Sequence, residues 1–425
     1  MKTPDRFPEA PQDLFLPQDP RIKSLLDTLV SVIDTVFPLP RRFHNTLPKD
    51  VAELSRFFTS NRQERGLSYL GKPNLLSAYL RYFLPWNVYR LCKFLPSLPL
   101  ELKEGDIVFD LGSGPLTLVL ALWISRPDLR SLPVEFICLD RTSLVLEAGK
   151  KIFAALAQNP QQNTVKVPCP WRIKTIQGEL RRNGRLWIKD RVFASKTELF
   201  HSGSFALVSA VNLFNEIFWE FSPADKKSLE LLAGNAAELF ASCAGDGTVL
   251  VAEPGIPRSG EFISSLRSSL LELGFNIISP CTHKEACPYP GTPVPGRGKA
   301  KWCHFSFSAE DAPLKLQKLS AAAGIPKERA VLSFLFAGKE SSTGNNAIRV
   351  MSDSFPVTDY SAGHSKNTAG RYCCSSQGAI LLVGSKSEME SLGSGDIAET
   401  ELGGERDPKS KALLGRLVIH SQTKK

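Results

Sequence analysis

Asp106-Ile107-Val108-Phe109-Asp110-Leu111-Gly112-Ser113-Gly114-Pro115 is the stretch on which the reading of this chain turns. Residues 107–111 form a short apolar run ending in an acid, two glycines follow, and 118–124 carry helical spacing. A second apolar run over 134–139 ends in Asp140, and helical spacing resumes over 143–156. Strand, glycine turn, helix, strand, acid is the order of half a doubly wound α/β sheet. Ligands of such sheets bind outside the carboxyl ends of the strands, where glycine lets the backbone come close. Asp140 stands where it can accept hydrogen bonds from ribose hydroxyls. It follows Gly112 by 28 residues, longer than the roughly 20 of a dinucleotide-binding unit. Further strands are expected at 205–210, 248–252 and 275–279, with an irregular insertion over 157–204.

Outward from this α/β domain (100–279), residues 1–99 read as an all-helical region. Leu25, Leu26, Leu29, Val30, Ile33 and Val36 recur at helical spacing and Pro38 ends the helix. A second helix is expected from about residue 50, and a third over 77–94, kinked or split by Pro85. This region is expected to cap the next domain; Arg41, Arg42 and Arg62 offer RNA contact as the other use. A cysteine-rich metal-binding region (280–385) follows, with one short strand expected at 379–383. Residues 386–425 read as a polar basic tail, mobile from 403.

The 425 residues carry 52 Lys and Arg against 43 Asp and Glu, a net charge of +9. That excess suits a partner with phosphate backbones. Nine cysteines in so long a chain do not make a secreted disulfide framework. Cys92, Cys138, Cys169 and Cys243 read as reduced core residues. The N-terminus lacks an apolar signal segment and no run reaches membrane-spanning length, so the expectation is a cytoplasmic protein with no membrane partner.

Cys281, Cys287 and Cys303 sit in Pro280-Cys281-Thr282-His283, Ala286-Cys287-Pro288 and Trp302-Cys303-His304. A fourth cysteine comes from the pair Cys373-Cys374. Four thiolates suit zinc or an iron–sulfur cluster. The intervals, x5, x15 and then 70 residues to Cys374, do not match the ligand pairs two to four residues apart of structural zinc sites, which tilts the reading toward a cluster. His283 and His304 are spare donors. From Arg172 to Arg191, seven basic residues face two acids, with Trp171 and Trp187 interleaved; such a segment can hold phosphates and stack bases. The basic loop at 296–301 adds to it. No catalytic residue is named: Val211-Asn212-Leu213-Phe214-Asn215-Glu216 stands where an amine-gripping loop would be, and Cys169 lies out of order for a nucleophile.

Asp110-Leu111-Gly112-Ser113-Gly114-Pro115 resembles motif I of S-adenosylmethionine-dependent methyltransferases, and Asp140 matches their ribose-binding acid. The resemblance implies a Rossmann-like class I methyltransferase fold, with Asp110, Gly112, Ser113, Gly114 and Asp140 binding S-adenosylmethionine. Leu116 replaces the third glycine, and its side chain is expected to crowd the methionine end. More widely, residues 40–385 resemble the methyltransferase-like small ribosomal subunit assembly proteins of mitochondria and bacteria. That likeness rests on Leu54-Ser55-Arg56, Leu84-Pro85-Trp86-Asn87, Ala252-Glu253-Pro254-Gly255 and the three cysteine segments. It implies binding to the small ribosomal subunit and its rRNA, and a [4Fe–4S] cluster on Cys281, Cys287, Cys303 and one of Cys373 and Cys374. Cys374 is preferred because Cys374-Ser375-Ser376-Gln377-Gly378 resembles the family's cysteine-then-turn pattern. The alternatives are zinc at the thiols, and an active rRNA methyltransferase.

Overall fold

The computed structural model describes residues 12–59, 71–158, 169–181, 183–188, 205–218, 225–292, 300–339, 347–357 and 367–418. Its centre is a nine-stranded sheet of β1 (Ile107–Leu111), β2 (Glu135–Asp140), β3 (Arg172–Leu180), β4 (Leu186–Ile188), β5 (Leu207–Val211), β6 (Thr248–Pro254), β7 (Asn276–Ser279), β8 (Phe305–Ser308) and β9 (Arg329–Gly338). The order is β4-β3-β2-β1-β5-β6-β9-β7, with β8 on β9. Strands β3, β2, β1, β5 and β6 run parallel, and β9 runs antiparallel to both β6 and β7. This is a Rossmann-like sheet of methyltransferase type. The order reverses at β1, between β2 and β5, so the crevice for a ligand opens over the loops that follow β1, β2 and β5.

Sequence accounts for each central strand. In β1 and β5 nearly every residue is buried, as a parallel strand covered on both faces requires. The helix Thr117–Ser125 is buried at all nine positions; it lies between the sheet and the N-terminal helices, where an all-round apolar surface is needed. Those helices are Pro20–Val36, Leu47–Phe58, Pro73–Ala78 and Leu84–Phe94. Pro85 does not break the run. A π-type turn over Tyr79–Phe83 widens the helix, which restarts so that Pro85 falls in a first turn, where its missing N–H is not needed.

Two expectations are corrected. The insertion over 157–204 is not irregular where it is described: β3 is a full parallel strand in register with β2, from Glu135↔Arg172 to Asp140↔Gln177, and turns back into β4. Its interspersed Arg and Lys suit a sheet edge and hid the strand. Residues beyond 341 hold far more than one strand. β10 (Ile348–Val350), β11 (Phe355–Pro356), β12 (Thr368–Ser375), β13 (Gly378–Ser385), β14 (Ile397–Ala398), β15 (Thr400–Arg406) and β16 (Leu413–Leu417) make a second sheet, ordered β14-β10-β12-β13-β16-β15 with β11 on β12. The expected tail from 386 is therefore folded through residue 417. Its helix Lys386–Ser391 carries a capping box, Ser385 with Glu388, and β16 pairs parallel with β13. No helix among the described residues is long and apolar enough to cross a membrane.

Candidate cofactor cleft and thiol site

A cleft of about 1080 Å³ opens over the carboxyl ends of β1, β2 and β5. Gly112 and Gly114 line its floor with φ of 67° and 52°, a region that glycine enters without strain. A Cβ on Gly112 would lie 2.7 Å from Leu213 Cδ1, so the loop after β5 packs directly on the turn. Asp140 closes the floor: Oδ2 accepts from Gly114 N at 3.0 Å and Oδ1 from Thr142 N at 2.8 Å. Burial pushes its carboxyl up to about 6, against those two bonds and with Glu216 adding to the rise.

Asp110 and Ser113 lie beneath the turn. Asp110 is opposite Ser209 in register, and Ser209 Oγ donates to its Oδ1 at 2.7 Å. Ser113 N donates to Leu139 O at 3.0 Å and its Oγ to Asp110 O at 2.8 Å. These bonds set the shape of the loop. Among the described residues Asp110 Oδ2 is buried without a hydrogen-bond partner of good geometry, and burial pushes the carboxyl up to about 6 against the lowering effect of the Ser209 and Ser113 hydroxyls. A spare buried acceptor under a glycine turn fits a ligand that brings a donor there.

Leu116 does not crowd the cleft. It takes the left-handed conformation, φ 60° and ψ 43°, and is fully buried. Its side chain packs on the helix Ser143–Ala157, where a Cβ on Gly149 would come within 2.7 Å of Leu116 Cγ. Gly149 thus makes room for the residue that replaces the turn's third glycine.

Two further parts of the structure, at and beside the cleft, have roles that the sequence analysis did not assign. Glu253, at the end of β6, is 2% exposed. Its carboxylate accepts from Phe214 N at 2.8 Å and Asn215 N at 3.1 Å, which fixes the start of the short helix Phe214–Ile217 beside the cleft. Burial pushes it up to about 8. The second part is a wall from the N-terminal helices, with Phe58, Tyr79, Phe83, Asn87 and Arg90 facing the cleft. These helices therefore complete the cleft as well as capping the sheet.

The thiol site lies at the seam of the two sheets. Cys281 and Cys287 are on the loop after β7, Cys303 precedes β8, and Cys374 is on β12. Burial raises the Cys374 thiol, and Cys287, Cys281 and Cys303 add to the rise. Burial likewise raises Cys287 and Cys303. Strand alternation separates the candidate pair. Cys373 is fully buried in the core of the second sheet, and of the charged groups among the described residues only Arg371 acts on it. Two arginines, each at most 3% exposed, serve the quartet. Arg267 Nε donates to Cys281 Sγ at 3.3 Å, and its Nη2 donates to the carbonyls of His283 and Glu285 at 2.9 and 2.7 Å. Arg349 Nε donates to Pro280 O at 2.9 Å. Burial lowers Arg267, but Cys281, Cys287 and Cys374 outweigh it and raise the guanidinium overall. His283 Nε2 lies 3.1 Å from Cys374 Sγ, while His304 stacks on Trp302. Among the described residues, no group of three or more His, Cys, Asp or Glu is placed to hold a metal ion.

Residues 230–359 match the family model described as mitochondrial small ribosomal subunit Rsm22. The Rsm22 match runs from the helix Lys226–Ala244 through β11 and takes in Cys281, Cys287 and Cys303. It covers under a third of the chain. No curated protein sequence matches. Among solved structures the chain is similar to PH0851, at 11% identity and a TM-score of 0.31, over 58% of this chain and 45% of that one. It spans less than half the length of that relative. It is also similar to fibrillarin of Aeropyrum pernix with natively bound S-adenosyl-L-methionine, at 17% and 0.26, over 45% of this chain and 68% of that one. The CMeT domain of the citrinin polyketide synthase gives 16% and 0.31, over 73% of this chain and 68% of that one. Scores this low carry no weight, and the fold stands on the strand order itself.

The expected RNA-facing segment needs one correction. Trp171 is 5% exposed, donates from Nε1 to Leu129 O at 3.0 Å and packs on Trp123, Phe136 and Phe153, so it is a core residue and not a stacking platform. Trp187 is 41% exposed, with the Arg181 guanidinium 5.9 Å from its ring centre. Lys174 pairs with Glu135 at 2.7 Å. Arg62, Arg182, Lys189, Arg191 and the loop 293–299 lie outside the described residues.

Proposed function

We propose that the protein is an assembly or translation factor of the small ribosomal subunit that contacts its rRNA. In this reading it uses a methyltransferase-type cleft and a [4Fe–4S] cluster held by Cys281, Cys287, Cys303 and Cys374. The observation that carries the reading is the approach of four cysteines from three segments of the chain, three of the four within the Rsm22 match. Buried thiols resist ionisation, and Arg267 and Arg349 supply positive charge beside them. One tetrahedral zinc needs its sulfurs within about 4 Å of one another. A cluster places its own iron and sulfide between the thiolates and takes a wider cradle. Bound there, the cluster would tie the two sheets together.

In the cleft, Gly112 and Gly114 give the backbone approach and Asp140 the ribose acceptor for S-adenosylmethionine. Asp110 and Ser113 hold the turn beneath them. Methyl transfer is the second reading, favoured by the position of Leu116, which leaves the methionine end open. The test is iron, sulfide and zinc content of anaerobically purified wild type, Cys374→Ser and Cys373→Ser, with sedimentation alongside small subunits. About four irons and four sulfides, lost in Cys374→Ser and kept in Cys373→Ser, with co-sedimentation, support the proposal. One zinc and no iron, or no association with small subunits, overturns it.

A further inference from the structure

The wall opposite the glycine turn has a chemistry of its own. Tyr79, Phe83, Asn87 and Arg90 follow one another at helical spacing and all line the cleft. Phe58 joins from the neighbouring helix. Its ring centre is 6.3 Å from that of Tyr79 and 4.9 Å from that of Phe83, and Tyr79 and Phe83 are stacked at 5.8 Å. Beyond these rings stand two cations, Arg90 and Lys327, the latter on the loop before β9. Both are partly buried. Lys327 Nζ lies 5.7 Å from the Tyr82 ring centre and 5.3 Å from that of Trp86. Burial pushes Arg90 down, and burial with the neighbouring Arg90 pushes Lys327 down to about 7. No carboxylate among the described residues acts on either. Two neighbouring cations taken partly out of water with no anion are costly to keep in an empty site, and an anionic ligand relieves both.

We propose that Arg90 and Lys327 form an anion subsite for a backbone phosphate of single-stranded RNA, with a base of that strand against the Phe58, Tyr79 and Phe83 rings. Asn87 also lines the cleft, and its amide offers a donor and an acceptor to the base edge. Stacking on aromatic rings beside a phosphate-binding cation is how single strands are held without a duplex. The proposal rests on the reading of the chain as an RNA-contacting protein and places one strand of that RNA inside the cleft.

The test compares wild type with Arg90→Gln/Lys327→Gln in binding a short unstructured RNA and, separately, S-adenosylhomocysteine. The double variant is expected to bind the RNA about tenfold more weakly, with a salt slope shallower by about 0.7 for each phosphate that is no longer neutralised. Its S-adenosylhomocysteine affinity should be unchanged. Lys315→Gln, on the exposed surface, should match wild type in both. RNA affinity and slope unchanged in the double variant overturn the subsite. So does a loss of S-adenosylhomocysteine binding alone, which assigns the pair to the cofactor's carboxylate. Wild type that binds no RNA overturns the underlying reading too. Should the double variant fold poorly, Lys327→Met alone carries the same comparison. It removes a desolvated charge and is expected to melt no lower than wild type.

Discussion

Arg267→Leu tests the logic of the thiol site without any metal. In the wild type one guanidinium organises the loop after β7, donating to Cys281 Sγ and to the carbonyls of His283 and Glu285. Leucine keeps much of the buried shape but donates nothing. The His283 residue is buried, so its carbonyl is left without a partner, at about 1–3 kcal/mol. Glu285 is exposed, and water can replace the missing donor, so that bond costs about 0.5–1.5 kcal/mol. Relief of the buried charge offsets part of the sum. The two costs sum to about 1.5–4.5 kcal/mol, and with that relief a net loss of about 1–3.5 kcal/mol follows. It is read as a lower urea midpoint with an unchanged slope. Arg267→Lys should recover part of it, because an ammonium reaches one carbonyl but lacks the fork that serves both. A loss below about 0.5 kcal/mol in Arg267→Leu, or no recovery in Arg267→Lys, would refute the idea that this one side chain builds the loop.

Two further outcomes are expected. Glu253 is pushed up to about 8 from its ordinary 4.5, so between those values the folded chain holds a proton that the unfolded chain has released. Stability should therefore fall as pH rises through that window, by at most about 1.4 kcal/mol per unit, and urea titrations of Glu253→Gln should lack this component; an identical pH slope in the variant would contradict it. Leu116→Gly relieves a left-handed leucine but empties its buried niche, so a net destabilisation of about 1–4 kcal/mol is expected with no gain in S-adenosylhomocysteine affinity; tighter binding by calorimetry would return Leu116 to the cleft.

The core of the fold is legible because β1, β2, β5 and β6 are short apolar runs punctuated by glycine, acid and helix signals. β3 is not, because Arg172, Lys174 and Glu179 interrupt its apolar positions and mimic a solvated loop. The second sheet is hidden by composition: β12, Thr-Ala-Gly-Arg-Tyr-Cys-Cys-Ser, has few of the branched residues that mark a strand, and its order comes from pairing with β13 along its whole length. At the site, the glycine turn and Asp140 are readable from local order. Arg90, Lys327 and Glu253 are not, since their meaning comes from neighbours distant in sequence. For Leu116 the sequence shows the residue but not the direction of its side chain, because the space that receives it is made by Gly149.

The placement of Cys374 sets an order of events during synthesis. Cys281, Cys287 and Cys303 leave the ribosome long before it, and their loops belong to the first sheet. The fourth thiol sits on a strand whose partners include β13 and, beyond that, β16 near residue 417. The quartet is complete only when residues through about 417 have emerged and the second sheet has closed. A chain that stops before Cys374 carries only three of the four cysteines.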